Sequence, residues 1–115
     1  MIETMRPRQI ISNDMLVKRN EFLVLVSNLT GVPVDDIMTN NRCGRISMAR
    51  QLVMWALYEL CCYTTTQVGI LMRRNHATIT YAVSHVGGGY YGKEVESIRE
   101  KIKDYHNESK TQNRH

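Results

Sequence analysis

No Asp or Glu occurs anywhere from Leu60 to Lys93. A long acid-free stretch leaves no carboxylate pair for general acid and base work, and no acidic ligand set for a hard cation. Proline is scarce as well. The two prolines, Pro7 and Pro33, both lie in the first third, and only seven glycines punctuate the rest. That scarcity argues against a turn-rich β-sandwich and for a helical domain. No run of about 18 apolar residues is present, so no membrane span is expected. The opening MIETMRPRQIISND lacks the apolar stretch of a secretion signal. Cysteine is limited to Cys43, Cys61 and Cys62. An odd number with two adjacent in an apolar segment, where a helix would splay them about 100° apart, does not make a disulfide framework. A reducing cytoplasm is the expected compartment. Cys61, Cys62, His76 and His85 lack the C-x-x-C or H-x-x-x-H spacing of a zinc site. The apolar setting of Cys61 and Cys62 would raise their thiol pKa values and disfavour a nucleophile. Neither a metal nor a cofactor is expected, and the chain does not read as an enzyme.

What remains is a basic, helical chain of 115 residues with a net charge of +4. That length suits one domain. The charge is localised: between Ile37 and Lys93 six bases (Arg42, Arg45, Arg50, Arg73, Arg74, Lys93) face one acid, Glu59. A basic region confined to one part of a small domain favours a polyanionic partner.

The elements follow from caps and periodicity. Residues 1–10 read as a flexible leader. Ser12-Asn13-Asp14 offers N-cap chemistry for a helix to about Asn28, stopped by Gly31. Asp35 to Met38 reads as a helical turn, and TNNRCGR (39–45) as a polar loop. Ile46 to Cys62, with Ser47 as a candidate cap, is apolar nearly all round and reads as the central helix. Thr64-Thr65-Thr66 caps a short helix from Gln67 to Met72, with Arg73-Arg74 in the turn. Asn75 caps a helix from His76 to about Val86, whose Ile79, Ala82, Val83 and Val86 form the buried stripe. Tyr81 is expected to pack partly buried. Gly87-Gly88-Gly89 ends this helix. A last helix spans Lys93 to His106, and 107–115 reads as a polar tail. The fold class is all-α, a compact bundle of five or six helices over 11–106 with an embedded helix-turn-helix. Two helices joined by a basic turn, the second opening with polar residues, form the arrangement by which small proteins enter the DNA major groove.

Three patterns within Phe22 to Val86 carry a family resemblance: NNRCGR (40–45), ARQL (49–52) and RRNHATITYA (73–82). In this order and spacing they resemble the C-terminal DNA-binding domain of DnaA, the bacterial replication initiator, in the Trp repressor-like superfamily. The resemblance implies sequence-specific binding of double-stranded DNA. It matches Arg42 to a loop arginine that enters the minor groove. Arg50 and Gln51 match DNA-touching residues of the central helix. Asn75, His76, Ala77 and Thr78 match the opening of the recognition helix, and His85 matches a basic position near the backbone. Arg50, Arg73 and Arg74 are expected to hold phosphates and set register, and the loop residue Arg45 is a further candidate DNA contact. These positions must share one face for the reading to stand.

The chain departs from the family pattern where bases are read. Asn75 replaces an Asp, Ala77 a Thr, and Arg73 a Gly. Asp accepts from cytosine N4, whereas Asn pairs with adenine N6 and N7, and Ala77 offers only a methyl contact to thymine. The target sequence therefore need not be the family's. The phosphate-binding G-x-x-x-x-G-K-[ST] of an ATPase does not occur in the 115 residues. A fragment and a stand-alone gene product both fit, the starting Met favouring the second. The implied setting is replication initiation or its regulation, with replication proteins as further candidate partners. A transcriptional regulator and a replication-protein interaction module are the alternatives. Oligomeric state is left open.

Overall fold

A computed structural model describes residues 11–113, with side chains to Lys103. Among the described residues six helices and no strands form the fold: α1 (Asn13–Thr30), α2 (Val34–Ile37), α3 (Gly44–Glu59), α4 (Thr65–Met72), α5 (His76–Gly87) and α6 (Gly92–Asn113). The all-α architecture agrees with the sequence. The expected leader, 1–10, lies outside the described residues.

Chain chemistry sets most boundaries. Ser12 Oγ accepts from Met15 N at the start of α1, and Gly31, at φ 80°, closes it by donating to Ser27 O. A glycine takes this left-handed geometry without the Cβ penalty. α3 starts earlier than expected. Its N-cap is Cys43, and Ser47 lies within the first turn, donating its N–H to Cys43 O at 2.8 Å. Ser47 is therefore not a cap, and its hydroxyl accepts from Gln51 Nε2 instead. α3 also ends earlier, at Glu59. Tyr63 N turns back to Leu57 O at 3.2 Å, and Cys62 adopts φ 61°. A left-handed residue after the last turn is a common helix stop. The two adjacent cysteines thus lie beyond the helix, Cys61 half-buried and Cys62 exposed. Burial pushes the Cys61 thiol up, as expected, but Cys62 does not share that apolar setting. α6 runs on to Asn113, past His106 where the sequence reading ended it. No Gly or Pro follows Gly92, so no residue type there stops a helix.

α3 is the centre. Ala49, Leu52, Val53, Met54, Trp55, Ala56 and Leu57 are all buried, on every face. α1 covers it with Phe22, Leu23 and Val26, α4 with Val68, Leu71 and Met72, and α5 with Ile79, Ala82 and Val86. α6 contributes Ile98 and sets the Arg99 guanidinium 5.3 Å from the Trp55 ring centroid. A cation over an indole face adds to the apolar contact. α1 also fastens the end of α4, where Arg19 Nη1 donates to Leu71 O at 2.9 Å. A cation at a helix C-terminus satisfies an orphan carbonyl and suits the dipole. This packing fixes the positions of α4 and α5 against the rest of the domain.

Candidate nucleic-acid interface

The α4–turn–α5 unit is capped at both starts. Thr64 Oγ1 accepts from Gln67 N at 3.0 Å while Gln67 Oε1 accepts from Thr64 N at 2.9 Å, a reciprocal capping box. Asn75 Oδ1 accepts from Thr78 N at 3.0 Å and from Thr78 Oγ1 at 3.1 Å. Between the helices the turn is Arg73-Arg74-Asn75. Gly69 makes the tight approach possible. A Cβ there would lie 2.8 Å from Arg74 O, and Arg74 N donates to Gly69 O at 2.9 Å. Burying Ile79, Ala82 and Val86 turns the other side of α5 outward, with His76, Ala77, Thr80 and Tyr81 exposed.

Arg74 reaches across to the polar loop. Its guanidinium donates to Asn40 Oδ1 and to the Thr39 carbonyl. Arg50 reaches the same loop from α3. Its Nε donates to Ile37 O and its Nη2 to Asn41 O, both at 2.9 Å. The Arg50 side chain is largely buried. Burial, and then the charge of Arg74, pull its pKa below the ordinary arginine value. It stays charged at neutral pH, because a guanidinium does not deprotonate in proteins. One arginine from α3 and one from the inter-helix turn therefore grip residues 37–41, and exposed Arg42 follows directly. The Arg74 contacts hold the turn before α5 against the segment that leads to Arg42. Among the described residues no carboxylate pairs with Arg42, Arg73 or Arg74, and the ion pair Lys18–Glu21 lies on α1.

The expected site residues divide. The contacts above join Arg74, which directly precedes Asn75 and His76, to Thr39 and Asn40, shortly before Arg42, and Ala77 is exposed and Thr78 half-exposed. Arg73 is exposed in the turn at φ 59°. Arg50 does not present a free guanidinium for a phosphate: its side chain is buried and two of its nitrogens hold carbonyls. Arg45 Nη2 donates to Thr30 O, at the end of α1, which gives a structural use to a charge the sequence left without one. Gln51 is half-buried, its Oε1 without a hydrogen-bond partner among the described residues. His85 lies in a ring cluster, with centroids 5.3 Å from Tyr81, 4.1 Å from Tyr90 and 5.4 Å from Tyr91. Tyr81 is exposed, not packed inside, because the buried stripe of α5 passes on its other side. Sequence reasoning missed Asn40 as the partner of Arg74, and the tyrosines around His85. Tyr90-Tyr91 directly after the glycine run was the available signal for the second.

Arg73 holds a conformation that costs a non-glycine residue about 1 kcal/mol or more. Arg73→Gly is therefore expected to stabilise the domain by about 1 kcal/mol, raising Tm by several degrees in a thermal melt. An unchanged or lower Tm would show that the Arg73 side chain makes up the difference.

A central helix carrying a capped helix-turn-helix, beside a loop with an exposed arginine, defines a DNA-binding module of helix-turn-helix class. The bacterial DnaA protein helix-turn-helix pattern matches residues 21–86. The chain belongs to that family. Two curated relatives are the chromosomal replication initiator proteins DnaA of Tropheryma whipplei strains Twist and TW08/27. Each is 29% identical over 66 residues, which cover 57% of this chain and 14% of the relative. The chain thus spans a small part of those proteins. No solved structure gives a significant match. The family module is a binding unit without catalytic residues of its own, and among the described residues no helix is long and apolar enough to cross a membrane.

Proposed function

We propose that this chain binds double-stranded DNA at a defined sequence, as the site-recognising unit of replication initiation or its control. α5 enters the major groove with its Asn75–Thr78 end, and Arg42 reaches the adjoining minor groove. Exposed Arg73 lies along the phosphates between the two grooves, and Arg74 adds its charge there while its guanidinium braces the loop. Arg50 and Arg45 serve the same end indirectly, by shaping the loop that carries Arg42. Gln51 and His85 flank this surface from α3 and from the far end of α5. The observation that supports this reading best is the Arg74 contact to Thr39 and Asn40, which ties the loop to the helix-turn-helix. A minor-groove arginine and a major-groove helix then act as one rigid footprint. Binding and no catalysis is assigned to these residues. The cell's reducing interior and the replication machinery are the setting that goes with this reading.

Selection of bound sequences from a random duplex pool, at stated salt, tests it. A single enriched motif is expected, with affinity falling steeply as salt rises because neutralised phosphates release counterions. Enrichment of origin sequences over promoters would separate replication from transcriptional control. Arg42→Ala and His76→Ala should each weaken binding to the selected duplex by about 1–3 kcal/mol, with helical circular dichroism unchanged. Parent-like affinity in both variants would remove the loop and the helix tip from the interface.

A further inference from the structure

Asn75 does two things at once, and the first restricts the second. Its carboxamide has one oxygen with two lone pairs and one NH2 with two donors. The oxygen is occupied twice, by Thr78 N at 3.0 Å and by Thr78 Oγ1 at 3.1 Å. The assignment of oxygen and nitrogen is fixed by chemistry, since a backbone N–H can only donate. Nδ2 takes no part in the cap, and the residue is exposed at the front of α5. The side chain therefore faces outward as a donor with no acceptor to spare.

The expected pairing of asparagine with adenine needs the opposite. It uses the oxygen to accept from N6 while the nitrogen donates to N7. In this fold that oxygen already holds the N-cap of α5 and the Thr78 hydroxyl, so accepting from N6 would cost one of these bonds. We infer, on the DNA-binding reading above, that Asn75 reads its base as a donor only, and that the base facing it is guanine. Guanine presents N7 and O6 as adjacent acceptors, so an N–H aimed at that edge finds an acceptor at either atom and no donor beside it. Thymine, with O4 alone, comes second. Cytosine N4 places a donor against a donor, and adenine offers its N7 acceptor only beside the N6 donor. The same geometry gives aspartate at this position the reverse preference. One carboxylate oxygen would keep the cap, and the other, an acceptor only, would favour cytosine N4. The difference between this chain and the family pattern is thus a change of sign in a single hydrogen bond.

The test is sequence selection from a random duplex pool with the full chain, in parallel for the parent and Asn75→Asp. Aspartate is as good an N-cap as asparagine, so the variant keeps α5. The two selected motifs are expected to coincide except at one base pair, guanine there for the parent and cytosine for the variant. Measured on two duplexes differing only by reversal of that pair, the parent should favour its own by roughly tenfold, and the variant should invert the order. The ratio for each protein is the readout, because the added negative charge weakens both duplexes alike. Adenine or cytosine at that pair for the parent, or the same base for both proteins, would overturn the donor-only assignment while leaving DNA recognition standing. Failure of the parent to enrich any motif would overturn both.

Discussion

Gly69→Ala is expected to destabilise the domain by about 1–2 kcal/mol although it replaces a helix-weakening residue. The added methyl would lie 2.8 Å from the Arg74 carbonyl oxygen. That neighbour is backbone and cannot swing aside as a side chain would. Overpacking of this kind costs about 1–3 kcal/mol, and the better helix propensity of alanine returns only about 1 kcal/mol. The strain falls on the turn that carries Arg73, Arg74 and Asn75. Duplex affinity should therefore drop further than the loss of stability explains, when measured at a temperature where the variant is still folded. Urea denaturation and duplex titration together check this. A variant as stable as the parent would mean that α4 and α5 can move apart without cost.

Arg50→Met should be comparably damaging, for a different reason. Methionine keeps much of the buried bulk but leaves Ile37 O and Asn41 O without the donors they now have. Ile37 is fully buried, and a buried carbonyl left unpaired costs about 1–3 kcal/mol. Asn41 is exposed, so water can replace the second bond. A loss of about 2 kcal/mol in urea denaturation is expected, with faster amide exchange across residues 38–43. Arg50→Lys should not rescue it, since an ammonium cannot span both carbonyls as the planar guanidinium does. The effect on DNA binding distinguishes loop-shaping from direct phosphate contact. If Arg50 acts through the loop, Arg42→Ala will add little to Arg50→Met, giving a non-additive double-mutant cycle. Additive losses, with a shallower salt dependence for Arg50→Met alone, would return Arg50 to the phosphate role read from the sequence.

How much of this was legible depended on the range of the interaction that decides each point. Starts of helices were readable where a side chain caps by reaching three residues ahead, as Ser12, Thr64 and Asn75 do, and not at α3, whose N-cap Cys43 makes no side-chain bond. So was the buried stripe of α5, a periodicity within one element. Ends were less so where the left-handed residue is not glycine. Gly31 announced its helix end, whereas Cys62 and Arg73 adopt the same conformation with nothing in their residue type to signal it. At the candidate site, the sequence supplied the residues but not their division of labour. That Arg74 holds Asn40, 34 positions away, and that Arg50 holds Ile37 and Asn41, are consequences of packing α2, α3 and α4 together. A charged residue on an apolar helix gives the same one-dimensional pattern whether it faces phosphate or a neighbouring carbonyl. The burial of Arg50 is what separates the two.

The clamp between Arg74 and the Thr39–Asn40 segment also has a metric consequence. With its two prongs braced against each other before any encounter, the protein carries a ruler of set length and set angle. Each base pair advances a duplex by about 3.4 Å and rotates it by a tenth of a turn. Under the proposed mode, the spacing between the two contacted tracts is therefore part of the recognised signal, even where no side chain touches the intervening bases.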